Sequence, residues 1–303
     1  MNTDNYQGTD RRISIRLVLI LISIVLGGMI LGSIIQFIYF AVSGVDPSQL
    51  FYREDYRMHL KFALLITQLF TFLFPALLFG WLTYKMKIWS FFKMDHFPRL
   101  SWIGVAILML LLLLPIIQYT YDFNRSLPLP DWMTSMEESA TDTLEAIIRM
   151  DNIGDLIINI LLIGLIPALG EEFLFRGTIQ QLGYRLWSNK TVSVWITALI
   201  FSAIHFQFEG FIPRFILGLY LGYLFLWTNN LLIPIIAHLI NNGSMVIMSY
   251  LNPELISNMD ETPVPDLPWY GVLFSAICII PLIIYFRNTY ARPSIPDQTT
   301  YEI

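Results

Sequence analysis

The chain has 303 residues, 55% of them hydrophobic and 14% charged, with a mean hydropathy of +0.60; a soluble domain carries about 25% charged residues. That apolar excess excludes a water-soluble globule and places the chain in the membrane class. The net charge of −5 comes with no basic tract that would point to nucleic acid, and the one cysteine, Cys278 in an apolar run, excludes a disulfide framework and a thiolate metal site.

The first apolar run follows Arg11, Arg12 and Arg16 and reaches Val45. It is too long for a signal-peptide core and no small-residue cleavage site follows, so it reads as a retained first span, residues 17–45. Residues 62–84 and 100–121 supply spans two and three, each near the ~20 apolar residues that a bilayer core requires of a helix. The segment 122–152 carries Pro128, Pro130 and Trp132 and then an acidic helical stretch from Glu137 to Met150, placed on the membrane surface or over the bundle. Span four is short between Asp155 and Glu171. The helix there either continues through Glu171 and Glu172 or breaks near Pro167 and Gly170. Residues 191–208 form span five. The long run 215–253 holds spans six and seven, divided by Thr228, Asn229 and Asn230 ahead of Pro234. Residues 267–286 form span eight, and 293–303 read as a disordered tail. No internal repeat appears, so residues 1–303 form one domain.

Eight spans put both termini on one side. Twelve lysines and arginines fall on the N-terminal side and six on the other. The positive-inside rule then makes both termini cytoplasmic. The absence of organelle signals and the arginine-flanked first span point to a plasma membrane.

Three polar clusters interrupt the apolar spans. In Glu171-Glu172-Phe173-Leu174-Phe175-Arg176, the two carboxylates and the guanidinium sit where the chain should be crossing lipid. A mid-membrane charge there costs ~2.5–3.5 kcal/mol on insertion scales. Residues four apart share a helix face, so Glu172 meets and neutralises Arg176, while Glu171 has no local partner. Withdrawal from water makes a carboxylate a stronger base, as water activation requires. A plainer reading makes the three a charge cluster at a helix end. His205 follows Phe201 by one helical turn, and Asn242 follows His238 by one turn, with Asn241 beside it. Alone, each pair reads equally as packing glue between helices. Together, one carboxylate and two imidazoles from three spans are a ligand set for zinc. The same groups activate water without metal when Glu171 acts as base and a histidine or asparagine donates to the oxyanion. The HExxH pattern is absent. His205 lies only four residues before Glu209, near the end of span five. Either that span tilts and begins before Lys190, or Glu209 is buried and lines a cavity with Gln207.

Taken in order on successive spans, these clusters resemble the CAAX prenyl-endopeptidase and bacteriocin-processing family, also called CPBP or Abi, over roughly residues 155–250. The resemblance implies an all-α polytopic membrane bundle of about eight helices around a polar cavity. It implies a catalytic set of Glu171, Glu172, Arg176, His205, His238 and Asn242. In that set Glu171 is base or ligand, His205 and His238 are catalytic or metal-coordinating, and Asn242 is the polar partner of the oxyanion. A divalent metal such as zinc would be held by Glu171, His205 and His238. The implied activity is intramembrane endoproteolysis of a peptide or membrane-protein substrate, lipidated in the best-known members. The alternative it carries is a non-catalytic bacteriocin-immunity or peptide-binding protein. A transporter or proton relay ranks below both, because no repeat is visible.

Overall fold

The computed structural model describes residues 3–50, 53–254 and 268–290. The expected tail, 293–303, and nearly all of the acidic 254–266 segment lie outside the described residues. The described residues contain no strand. Their helices are α1 (Thr3–Ser43), α2 (Arg57–Phe91, with a sharp turn at Lys85 where φ is +48°), α3 (Leu100–Arg125), α4 (Asp131–Ile148), α5 (Ile153–Trp187), α6 (Lys190–Ala203), α7 (Phe211–Thr228), α8 (Leu232–Leu251) and α9 (Trp269–Tyr290).

Among the described residues, seven helices are long and apolar enough to cross a membrane, α1 to α3, α5 and α7 to α9. The expected eighth, span five, is shorter than its apolar run. The helix starts at Lys190, where the Asn189 side chain accepts from the Val192 N–H at 3.1 Å, and stops at Ala203. Its 14 residues rise ~21 Å at 1.5 Å each, against ~30 Å of hydrocarbon. Residues 204–210 are therefore a loop, and Phe206 turns it with φ of +52°. The boundary between spans six and seven falls where expected: α7 ends at Thr228, and Asn229 takes the left-handed conformation that closes a helix.

Span four does not break at Pro167. It runs as one 35-residue helix, with wide π turns at Ile160–Leu165 and Phe175–Gln180 on either side of the glutamate pair. Pro167 has no N–H to give the carbonyl four residues back. That carbonyl, of Ile163, accepts from the Asn242 amide at 3.2 Å. Residues 170–178 are buried without interruption, because neighbours surround α5 on every side, the pattern of a central helix. The reading of the charges as a helix-end cluster is thereby overturned.

Glycines set how closely α5 is approached. A Cβ on Gly170 would lie 3.1 Å from Phe72 Cβ and 3.4 Å from the Leu73 backbone N of α2. Gly218 and Gly222, one turn apart on α7, meet Ala198 and Val194 of α6. Their carbonyls accept from Arg176 and Gln180, each at 3.0 Å. Small residues at four-residue spacing allow such close backbone contact between membrane helices. Near the N-terminal end of α5, its buried Asn159 donates to the Ile147 and Ile148 carbonyls and so closes the C-terminal end of α4.

Replacing Gly170 by Leu should overpack the α2–α5 crossing and cost about 1–3 kcal/mol. Gly104 of α3, with nothing within 4 Å of its Cβ position, supplies the control. Thermal unfolding of the purified protein should shift down for Gly170→Leu and stay put for Gly104→Ala.

Candidate active site

Glu172 is the hub of the polar cluster. It is fully buried, and its Oε1 accepts from Arg176 Nη1 at 2.6 Å and from His238 Nδ1 at 2.8 Å. Arg176, also fully buried, donates its Nη2 to the Gly218 carbonyl and lies over the Phe201 ring, with Cζ 4.7 Å from the centroid. The expected pairing of Glu172 with Arg176 is present. The bond from Glu172 to His238, across 66 residues of chain, was not legible from local spacing.

This bond fixes the imidazole. A carboxylate held by a guanidinium is ionised and only accepts, so Nδ1 of His238 carries the proton and Nε2 is turned the other way. Nε2 faces Glu171 Oε2 at 3.8 Å, too far for a direct hydrogen bond. Glu171 is 5% exposed and its carboxylate, unlike that of Glu172, makes no direct hydrogen bond among the described residues.

His205 is held in the same manner. Its Nδ1 lies 2.7 Å from the Phe201 carbonyl, which only accepts, so this nitrogen donates and Nε2 is left bare. The Phe201 ring packs edge-on to both imidazoles, with centroids 5.2 Å from His205 and 6.0 Å from His238. His205 itself sits just beyond the end of α6, in the loop. That loop is pinned from outside: Asn124 donates to the Phe208 carbonyl, Glu137 of α4 accepts from the Phe208 N–H at 2.7 Å, and Ser202 donates to the Phe211 carbonyl at 2.6 Å.

Glu171, His205, His238, Asn241 and Asn242 line one cavity of about 280 Å³, together with Phe201, Tyr121 and Arg214. Glu172 and Arg176 stand behind its wall. Of the two arrangements considered for Glu209, neither holds. The helix before it ends early, and Glu209 pairs with Arg125 at 3.7 Å. Arg214, which no sequence motif singled out, takes the cavity position instead. The Asn242 amide is engaged at both ends, donating to Ile163 and accepting from Asn241 at 3.1 Å.

The three expected zinc ligands share the cavity but do not converge. Two donors ~2.1 Å from a tetrahedral ion stand ~3.4 Å apart, closer than Glu171 and His238 are. Among the described residues, no three His, Cys, Asp or Glu side chains come together as a metal-holding group. As it stands, the donor set does not fit a resident metal.

The helices and the buried side chains together define a polytopic membrane protein with a buried acid–imidazole cluster. Residues 153–244 match the family described as type II CAAX prenyl endopeptidase, Rce1-like, and the resemblance drawn from the three motifs is borne out there. The chain is similar to the membrane-embedded CAAX protease MroQ of Staphylococcus aureus (strain USA300), 33% identical over 108 residues that cover 34% of this chain and 43% of that one. It is also similar to the uncharacterized protein YpbD of Bacillus subtilis (strain 168), 34% identical over 86 residues, 27% of this chain and 41% of the other. The matching segment spans less than half the length of either relative. No solved structure matches the chain.

Removing Arg176 as Ala should leave the Glu172 carboxylate buried without its cation and destabilise the protein by about 3–5 kcal/mol. Replacing both by apolar isosteres, Glu172→Leu with Arg176→Met, should recover much of that loss. Unfolding midpoints of the single and double variants check both expectations.

Proposed function

We propose that the protein is a membrane-embedded endopeptidase that hydrolyses a peptide bond with a water molecule activated by Glu171. The observation that carries this reading is the geometry across the cavity. The Glu171 carboxylate and the bare Nε2 of His238 face one another at 3.8 Å, a gap that one water spans while donating to both. His238 is locked in that orientation by Glu172 and Arg176.

Glu171 takes the proton from the water, and the hydroxide attacks the scissile carbonyl carbon. Nε2 of His238 accepts the water's other proton in a hydrogen bond and so positions it for this attack. The second N–H of the Asn242 amide donates to the developing oxyanion. As the tetrahedral intermediate collapses, the C–N bond breaks and Glu171 returns the proton to the leaving amine. Glu172 and Arg176 touch no reacting atom and act by fixing His238, as the carboxylate of a hydrolase triad fixes its histidine. The peptide must enter extended. Protein groups lining the cavity then satisfy its backbone where lipid cannot. The substrate is a peptide or membrane-anchored segment, lipidated in the relatives' class. On the lysine and arginine distribution, we place both termini on the cytoplasmic side of a plasma membrane.

Glu171→Gln should lower cleavage of a fluorogenic peptide by about 10²–10⁴-fold, with an unfolding midpoint close to wild type. His238→Ala should cost a similar amount, and the pair together little more than either alone, since they act as a unit. Retained cleavage by Glu171→Gln would remove Glu171 from the reaction. Treatment with 1,10-phenanthroline should leave the rate unchanged, whereas a loss restored by added zinc would put a metal in the mechanism.

A further inference from the structure

Among the described residues Arg214 is the one arginine or lysine on the cavity wall, and its setting contrasts with that of Arg176. Arg176 is buried against a carboxylate. Arg214 makes two hydrogen bonds, Nη1 to the Gln207 carbonyl at 3.2 Å and Nη2 to the Gln207 side-chain oxygen at 2.7 Å. Both acceptors are neutral, and among the described residues no carboxylate comes within ion-pair distance of Arg214. Glu137 and Glu171 act on it only from further off. Glu137 is occupied by the Phe208 N–H, and Glu171 faces His238.

The guanidinium is also given room. A Cβ on Gly210 would lie 2.6 Å from Arg214 Nη2 and 3.2 Å from its Cζ. Gly210 has an ordinary negative φ of −91°, so its missing side chain serves space rather than backbone conformation. A planar fork of five N–H donors, two of them committed to Gln207 and the remainder beside an open cavity, suits a planar carboxylate. A guanidinium held inside a membrane protein by neutral partners alone is electrostatically incomplete, and an anionic ligand completes it.

We propose that Arg214 is the specificity-determining residue of the cavity, binding a carboxylate of the peptide and so fixing which bond lies beside Glu171. This inference rests on the endopeptidase reading and names the chemistry of its substrate. The carboxylate is either that of the chain terminus or that of an acidic side chain.

The test uses the full-length protein in nanodiscs with three fluorescent peptides of one apolar sequence. One has a free C-terminal carboxylate, one a C-terminal amide, and one a C-terminal amide with a single internal Asp. Binding is measured in the Glu171→Gln background, so that the peptides survive, and cleavage is measured in the otherwise wild-type protein. At least one carboxylate peptide should bind about tenfold more tightly than the plain amide, and which one does so identifies the source. Arg214→Gln should bring that peptide's affinity down to the amide's without changing the amide's own. Gly210→Ala, which displaces the guanidinium but keeps its charge, should narrow the difference. Arg214→Lys serves if the Gln variant fails to elute as a monodisperse species, and should show part of the discrimination. Equal affinity for all three peptides, no binding of any, or a uniform loss in Arg214→Gln overturns the proposal. Discrimination that persists without cleavage of any peptide defeats the endopeptidase reading and leaves the carboxylate site standing. Cleavage of all three alike does the reverse.

Discussion

A single carboxylate oxygen, Oε1 of Glu172, joins three helices of this protein. It accepts from Arg176 on its own helix and from His238 on α8, while Arg176 reaches on to a carbonyl of α7. Burying two charges away from water is costly, and their attraction offsets that cost only when the geometry is good and the remaining donors find partners. Here the offset is incomplete, since the second Glu172 oxygen and Arg176 Nε find no hydrogen-bond partner among the described residues. A fold chosen for stability alone would place apolar side chains in these positions. What the charged pair supplies is orientation: one tautomer of one imidazole, aimed at one carboxylate.

The scaffold allows this because the central helix is wide as well as buried. Its two π turns lie on either side of the glutamate pair, and such turns recur at functional positions in helices. Gly218 and Gly222 let α7 lie close against α6, and their carbonyls are the ones that Arg176 and Gln180 reach from α5. Close packing and polar reach therefore come from the same residues. A larger side chain at Gly218 would separate the helices and take the acceptor from Arg176 at once.

Much of this was legible in the sequence and part was not, for physical reasons. Long uncharged runs revealed the membrane class and most spans, because lipid demands continuous apolar helix. The Glu172–Arg176 pair followed from four-residue spacing, and so did His205 with Phe201. The end of α6 was hidden, since residues 204–208 stay apolar enough to prolong the run although the chain has left the helix. The bond from Glu172 to His238 was hidden because it is tertiary, and Pro167 looked like a break because nothing local announces that Asn242 supplies its missing bond. Arg214 had a signal that went unused: a lone arginine four residues after a glycine, at the head of an apolar helix. The Gly218–Gly222 spacing was likewise visible and marks the α6–α7 contact.

The brevity of α6 has a further effect. Its 14 residues end at Ala203, and in the loop that follows the Phe208 carbonyl and N–H are met by Asn124 and Glu137. The early stop of α6 leaves His205 on a turn rather than on a helix face, and from there it lines the same cavity as Glu171 and His238.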